Sequence, residues 1–197
     1  GETVQASILQ DDLFHHYTLT YHEGNGELRI YEDSTEAKVE TVGSLEFTNR
    51  ELLTIGGNNF IGNIHDLRMW TKSISLSESV ATLYKQFTGS ERDLVGYWRM
   101  NEGQGTTAKD LARYIHANVN AEWDVKPKTT VYEFKNNQYL TLNLSDFSQF
   151  GAAKQIDDEM DITLSFWVKT DNESAAGLIT NGRGTDEDFQ QSNGKRN

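Results

Sequence analysis

The chain has 197 residues, no cysteine, 36% hydrophobic residues with four Trp, eight Tyr and nine Phe, and a formal net charge of -12. That suffices for a buried core in one ordinary domain or two small ones, while the acidic surface excludes nucleic acid and anionic membrane as partners and would attract divalent cations. The lack of cysteine removes disulfides, thiolate metal sites and a cysteine nucleophile, and no stretch approaches the roughly 18 consecutive apolar residues of a membrane span, so no membrane insertion is expected.

The first residues, "GETVQASILQDD", carry neither the basic nor the apolar part of a signal peptide. Next, "HHYTLTYHEGNGELRIYED" alternates, with Tyr17, Leu19 and Tyr21 on one face, a turn at "EGNG", then Leu28 and Ile30; this predicts a β-hairpin. The stretch "ELLTIGGNNFIGNIHDLRMWTKSIS" predicts two more strands around "GGNN", the second with Ile64, Asp66, Arg68 and Trp70 opposed to His65, Leu67 and Met69. Apolar residues on both parities place that strand inside a sandwich. A single helix follows in "SLSESVATLYKQF", opened by Ser75 and Glu78 at capping-box spacing, with Val80, Leu83, Tyr84 and Phe87 as its apolar stripe and Gly89 as its stop.

Beyond the helix, "LVGYWRM", "TVYEF", "YLTLNL", "ITLSFWVKT" and "GLITNG" are short runs rich in Val, Ile, Thr and aromatics, and the only proline, Pro127, lies in the loop "DVKPK". Short strands with one helix predict an all-β fold, an antiparallel β-sandwich or jelly roll.

Five pieces, "LVGYWRMNEGQGTTAKD", "ITLSFWVKT", "FHHYTLTY", "LRIYED" and "FIGNIHDLRMWTKSIS", resemble the laminin-G-like, concanavalin-A-like jelly-roll family over almost the whole chain. In that family the "GYW...NEG.GT...D" stretch opens the module and the "G.I.DLR.W" strand closes it. Residues 1–89 therefore resemble the closing half of one module and 93–197 the opening half of the next, read across a junction of tandem repeats. One or two central strands are missing at the seam between "SNGKRN" and "GETVQAS". Because half a sheet would leave an apolar face in water, the two halves are expected to close as one permuted sandwich, 1–197, or as a domain-swapped homodimer.

Catalysis is not indicated. A sandwich glycosidase needs carboxylates at Glu-x-Asp-x-x-Glu spacing on one strand; the nearest runs, at Glu122 with Asp124 and at Glu159 with Asp161, lack the last acid, and there is no Gly-x-Ser-x-Gly elbow. His15 and His16 are neighbours on a strand, point to opposite faces and so make a poor zinc pair. The resemblance implies a calcium site at the sandwich rim, for which the carboxylates at hand are Glu102 and Asp110; the aspartate expected in the closing strand is replaced by His65, a poor calcium ligand, with Asp66 displaced by one residue. The alternative for these acids is that they cap turns in solvent. Trp98 and Trp167 are expected in the core and Trp70 on a strand, which leaves Trp123 as the exposed aromatic for ligand binding.

What the resemblance implies is a non-catalytic extracellular or cell-surface module of a larger protein, recognising a glycan or an extracellular protein through rim loops such as "EGNGE", "KNNQ" and "TNGRGTDED". The alternatives are a structural spacer repeat in a surface stalk or adhesin, and an accessory domain of a hydrolase.

Overall fold

The structure, a computed structural model, describes residues 8–43, 52–57, 60–126, 129–135, 137–143, 161–170 and 179–181. Pro127, Glu159, the loop after Asn181, most of "GGNN" beyond its glycines, and both sides of the expected seam lie outside the described residues.

Described strands form two antiparallel sheets. The larger contains β1 (His15–His22), β2 (Glu27–Glu32), β3 (Thr35–Thr41), β5 (Gly62–Trp70), β6 (Leu94–Trp98), β9 (Glu122–Lys126), β10 (Thr129–Phe134) and β12 (Ile162–Lys169). The smaller contains β4 (Leu52–Gly56), β7 (Thr107–Ala108), β8 (Ala117–Asn120), β11 (Tyr139–Asn143) and β13 (Ile179–Asn181). The helix, α1, is Leu76–Thr82. The molecule is the all-β antiparallel sandwich with one short helix that the alternation predicts. Four strands were not anticipated: β3, β7, β8 and β9, the last of which carries Trp123.

Strand order is β3-β2-β1-β12-β5-β10-β9 in the larger sheet, with β6 also paired to β5, and β13-β4-β11-β8-β7 in the smaller. Thus β12 lies between β1 and β5, in register Tyr17↔Phe166 on one side and Trp167↔His65 on the other. Strands from 1–89 and from 93–197 interleave in both sheets, and one core lies between them. Tyr17, Tyr21, Ile30, Ile64, Leu67, Met69, Phe166 and Val168 meet Leu53, Ile55, Val119, Leu140 and Leu142. The predicted hairpin is formed by β1 and β2, with Gly26 at φ 65° closing its turn.

Along β5 the structure departs from plain alternation. Asp66 sits at φ 56°, and β5 advances from His65 to Arg68 while β12 advances only from Trp167 to Ser165. This is a β-bulge, whose extra residue reverses the faces beyond it. Ile64, Leu67 and Met69 therefore share the inner face, whereas His65, Arg68 and Trp70 share the outer one. The apolar residues on both parities have two separate destinations: the inter-sheet core, and a second cluster of Trp70, Ile74, Phe87, Leu94 and Tyr97 outside the sheet.

Ser75 and Glu78 form the capping box: the Ser75 hydroxyl accepts from the Glu78 amide and the Glu78 carboxylate accepts from the Ser75 amide. The helix is shorter than its apolar stripe. Arg68 donates to the carbonyls of Thr82 (2.9 Å) and Lys85 (3.2 Å), placing a cation at the carbonyl end where a helix favours one. Leu83 and Phe87 are buried beyond that end, while Val80 and Tyr84 turn to solvent. Gly89 does not stop the helix; at φ 90° it lets the chain approach Leu111, whose carbonyl oxygen would lie 2.2 Å from an added Cβ.

A layer of hydroxyls joins α1 and the segment before it to the sheet. Thr18 lies 2.8 Å from Ser79, Thr20 accepts from the Ile74 amide (3.0 Å), and Thr163 donates to the Lys72 carbonyl (2.7 Å). Phe166→Ala, which truncates a fully buried ring on the central strand, is expected to cost about 3–5 kcal/mol in urea denaturation. Tryptophan fluorescence and far-UV circular dichroism should report the same single transition for the parent protein.

Candidate functional site

Pinning of the α1 carbonyl end by Arg68 shapes the outer face of the larger sheet. Arg68 is 1% exposed, paired with the Asp66 carboxylate and covered by the Phe87 ring 4.7 Å from its guanidinium carbon. The chain leaving α1 is thereby held above β12, and Tyr84 stands over Trp167 with ring centroids 5.5 Å apart. Tyr84 is nevertheless 85% exposed. Between this segment, Phe14 and the outer residues of β5, β6 and β10 runs an open groove of about 500 Å³.

Its aromatic floor is continuous. Trp167 stacks parallel to His65 at 6.1 Å, His65 meets the edge of Phe14 at 5.0 Å, and His16 packs edge-on beneath Trp167 at 5.2 Å. Burial, with Arg68 adding repulsion, holds His16 down to about 3, and burial also lowers His65, so both rings are neutral at pH 7. Burial and the Asp66 charge push the Tyr97 phenol up to about 12.

Opposite the aromatics lie Arg99 and Asn101. Met100 between them has φ 59° and is fully buried in the main core. A left-handed residue reverses the local chain, so anchoring Met100 inward leaves both neighbours lining the groove. The Arg99 carbonyl accepts from the amide of bulge residue Asp66 (3.3 Å), while its guanidinium makes no hydrogen bond or ion pair with a described residue.

The candidate ligand residues Trp123, Glu102 and Asp110 lie elsewhere, whereas His65, Asp66 and Trp167 line the groove. Trp123 is half-buried: it is the cross-strand partner of Tyr132, its ring centroid 3.8 Å from that ring, and its indole N–H donates to the Gly105 carbonyl (2.8 Å). The exposed aromatic lining the groove is Tyr84. Trp98 is fully buried and donates to the Ile115 carbonyl; Trp167 is buried too, but on the outer face of the sheet rather than between the sheets.

Asp110 is 1% exposed, not a solvated acid. One oxygen accepts from the amides of Tyr97 and Ala112, the other from those of Arg113 and Ile115, at 2.8–3.0 Å. Four N–H donors fill the lone-pair positions that a cation would use. Glu102 accepts from the Lys109 amide (2.8 Å) through one oxygen; the other is buried without a hydrogen-bond partner, and its charge together with burial raises the Tyr132 phenol. Glu102, Asp110 and His65 are not gathered into one set, and among the described residues no three His, Asp or Glu side chains converge as metal ligands.

Other acids are engaged structurally. Glu122 pairs with Lys135 (2.6 Å), and Asp161 accepts from the amides of Glu23 (2.9 Å) and Ser73 (3.4 Å). His15 and His16 diverge as expected: His15 bonds Asp33 (2.7 Å) and Asp11 (3.1 Å), whereas His16 lies under Trp167.

No protein-family model, curated protein or solved structure matches the chain. Among the described residues, no helix is long and apolar enough to cross a membrane. The groove is thus defined by its own geometry.

Two outcomes follow from these environments. In an NMR pH titration the His16 ring should stay neutral until about pH 3, while His15, lowered by burial but raised further by Asp33 and Asp11, should titrate above the ordinary imidazole range. Below about pH 6.5 the unfolded state protonates His16 and the folded state does not, so stability is lost towards pH 3 by at most about 1.4 kcal/mol per unit; His15 acts in the opposite sense and in a separate window, adding stability as the pH falls from its raised value to about 6.5 and no more below. Asp110→Asn puts an NH2 group against two backbone donors and should cost about 2–4 kcal/mol in the same denaturation experiment.

Proposed function

We propose that the protein is a non-catalytic binding module of laminin-G-like type, working outside the cell or at its surface, and that the outer-face groove receives a sugar ring of a glycan. The observation that carries this reading is Tyr84, 85% exposed and fixed above Trp167. An aromatic ring left mostly in water contributes little to folding, whereas the C–H face of a pyranose stacks readily on such a ring. Around it the groove supplies what hydroxyls need: the amides of Asn101 and Gln86, the Thr130 hydroxyl and the Arg99 guanidinium.

The site is supported by rigid elements. Trp167 lies on the central strand β12, and the loop bearing Tyr84 is clamped by Arg68, so little ordering is required when a ligand arrives. On this reading recognition lies on the face of the larger sheet instead of on rim loops or Trp123, whose ring packs against Tyr132. On a glycan array the protein should bind a restricted set of ligands, and Tyr84→Ala should weaken binding at least about tenfold with its melting temperature unchanged, because exposed side chains contribute little to folding. Absence of any glycan binding by the parent protein would favour the spacer role instead.

A further inference from the structure

Resting on the glycan reading of this groove, we infer that its ligand is acidic: an oligosaccharide with a uronate-type residue whose carboxylate is taken by Arg99 while the ring packs on Tyr84. The chain carries a net charge of -12, yet the charged groups lining the groove are Lys85, Arg99 and Asp66. The Asp66 carboxylate is paired with buried Arg68 behind the wall. His65 adds no charge because burial keeps its imidazole neutral. The groove is therefore a local cationic patch on an acidic protein.

Lys85 has its ammonium 5.1 Å from the centre of the Phe87 ring, a cation–π contact that engages its charge within the molecule. Arg99 differs. Its guanidinium has no hydrogen-bond or ion-pair partner among the described residues and lines the groove. Two features of the backbone hold it so: the Met100 side chain is locked in the core at φ 59°, and the Arg99 carbonyl is tied to the Asp66 amide. Left-handed conformations of non-glycine residues are costly and recur where a ligand is clamped.

The geometry of a guanidinium matches a carboxylate through two parallel N–H donors. A single carboxylate on a neutral oligosaccharide suits the site better than a polyanion, which the surrounding acidic surface would repel. Asn101, on the other side of Met100, is placed to bond a hydroxyl of the same ring.

The test uses short oligosaccharides bearing one glucuronate or galacturonate, each beside its carboxyl-reduced neutral counterpart, with affinity measured at low and high salt. Expected is a preference of at least about tenfold for the acidic member of a pair, weakened by salt and abolished in Arg99→Gln, with Tyr84→Ala lowering binding of both members. Arg99→Gln removes no bond to a described residue, so its melting curve should overlay the parent's; the salt dependence of the parent protein is a readout that needs no variant. Equal binding of the two members, or a preference that survives Arg99→Gln, overturns the acidic ligand while leaving a glycan groove dependent on Tyr84. Failure to bind any member of either kind overturns this inference, and the glycan reading falls with it if the wider array is also silent.

Discussion

The ion pair between Asp66 and Arg68, two residues apart on a bulged strand, is the contact on which the rest of the molecule turns. On a regular strand they would lie on the same face with Ile64, and either the core would hold a guanidinium or the isoleucine would lie in solvent. The bulge separates them from that pattern: Ile64, Leu67 and Met69 go inward, and Arg68 emerges under α1. A buried guanidinium is tolerated only when its charge and donors are matched. Here the Asp66 carboxylate, two helix-end carbonyls and the Phe87 face share that task.

From that pair follows an asymmetry between the sheets. The outer face of the smaller sheet is polar and wet, with Asn118, Asn120 and Tyr139 exposed. The larger sheet has a second covering, made of the hydroxyl layer around Thr18, Thr20 and Thr163 and the aromatic cluster around Trp70. A seven-residue helix cannot cover so wide a sheet. The uncovered remainder, along β5, β10 and β12, is the groove, and it begins where Arg68 ends the helix.

How much of this was legible in the sequence depended on whether the deciding contact was local. The hairpin was readable because Tyr17, Leu19 and Tyr21 alternate and a glycine closes the turn; the capping box was readable because its two residues lie three apart. The end of α1 was not, since the terminating group, Arg68, comes from a strand and acts through space on Thr82 and Lys85. That error turned Tyr84 from an exposed platform into a core residue. Strands β3 and β9, "TEAKVET" and "EWDVK", carry too many charges to signal burial, as edge strands do. Missing β9 made Trp123 look like a loop residue when its partner strand had already supplied Tyr132. Asp110 could be marked as an acid near a turn, but nothing local announces that four amides from two segments converge on it.

Two of the left-handed non-glycine residues lie at the groove, the others being Asp12, Asp33, Asp93, Tyr114 and Asn137. Asp66 and Met100, both left-handed, sit on adjacent segments joined through the Asp66 amide and the Arg99 carbonyl. Each such residue costs on the order of 1 kcal/mol or more. What the two departures achieve together is to set Arg99 and Asn101 on the same side of a buried methionine and to bring Arg68 to the end of α1, so that polar groups face an aromatic floor across one cleft. The departures that send Ile64, Leu67 and Met100 into the core thus also shape the open surface above it.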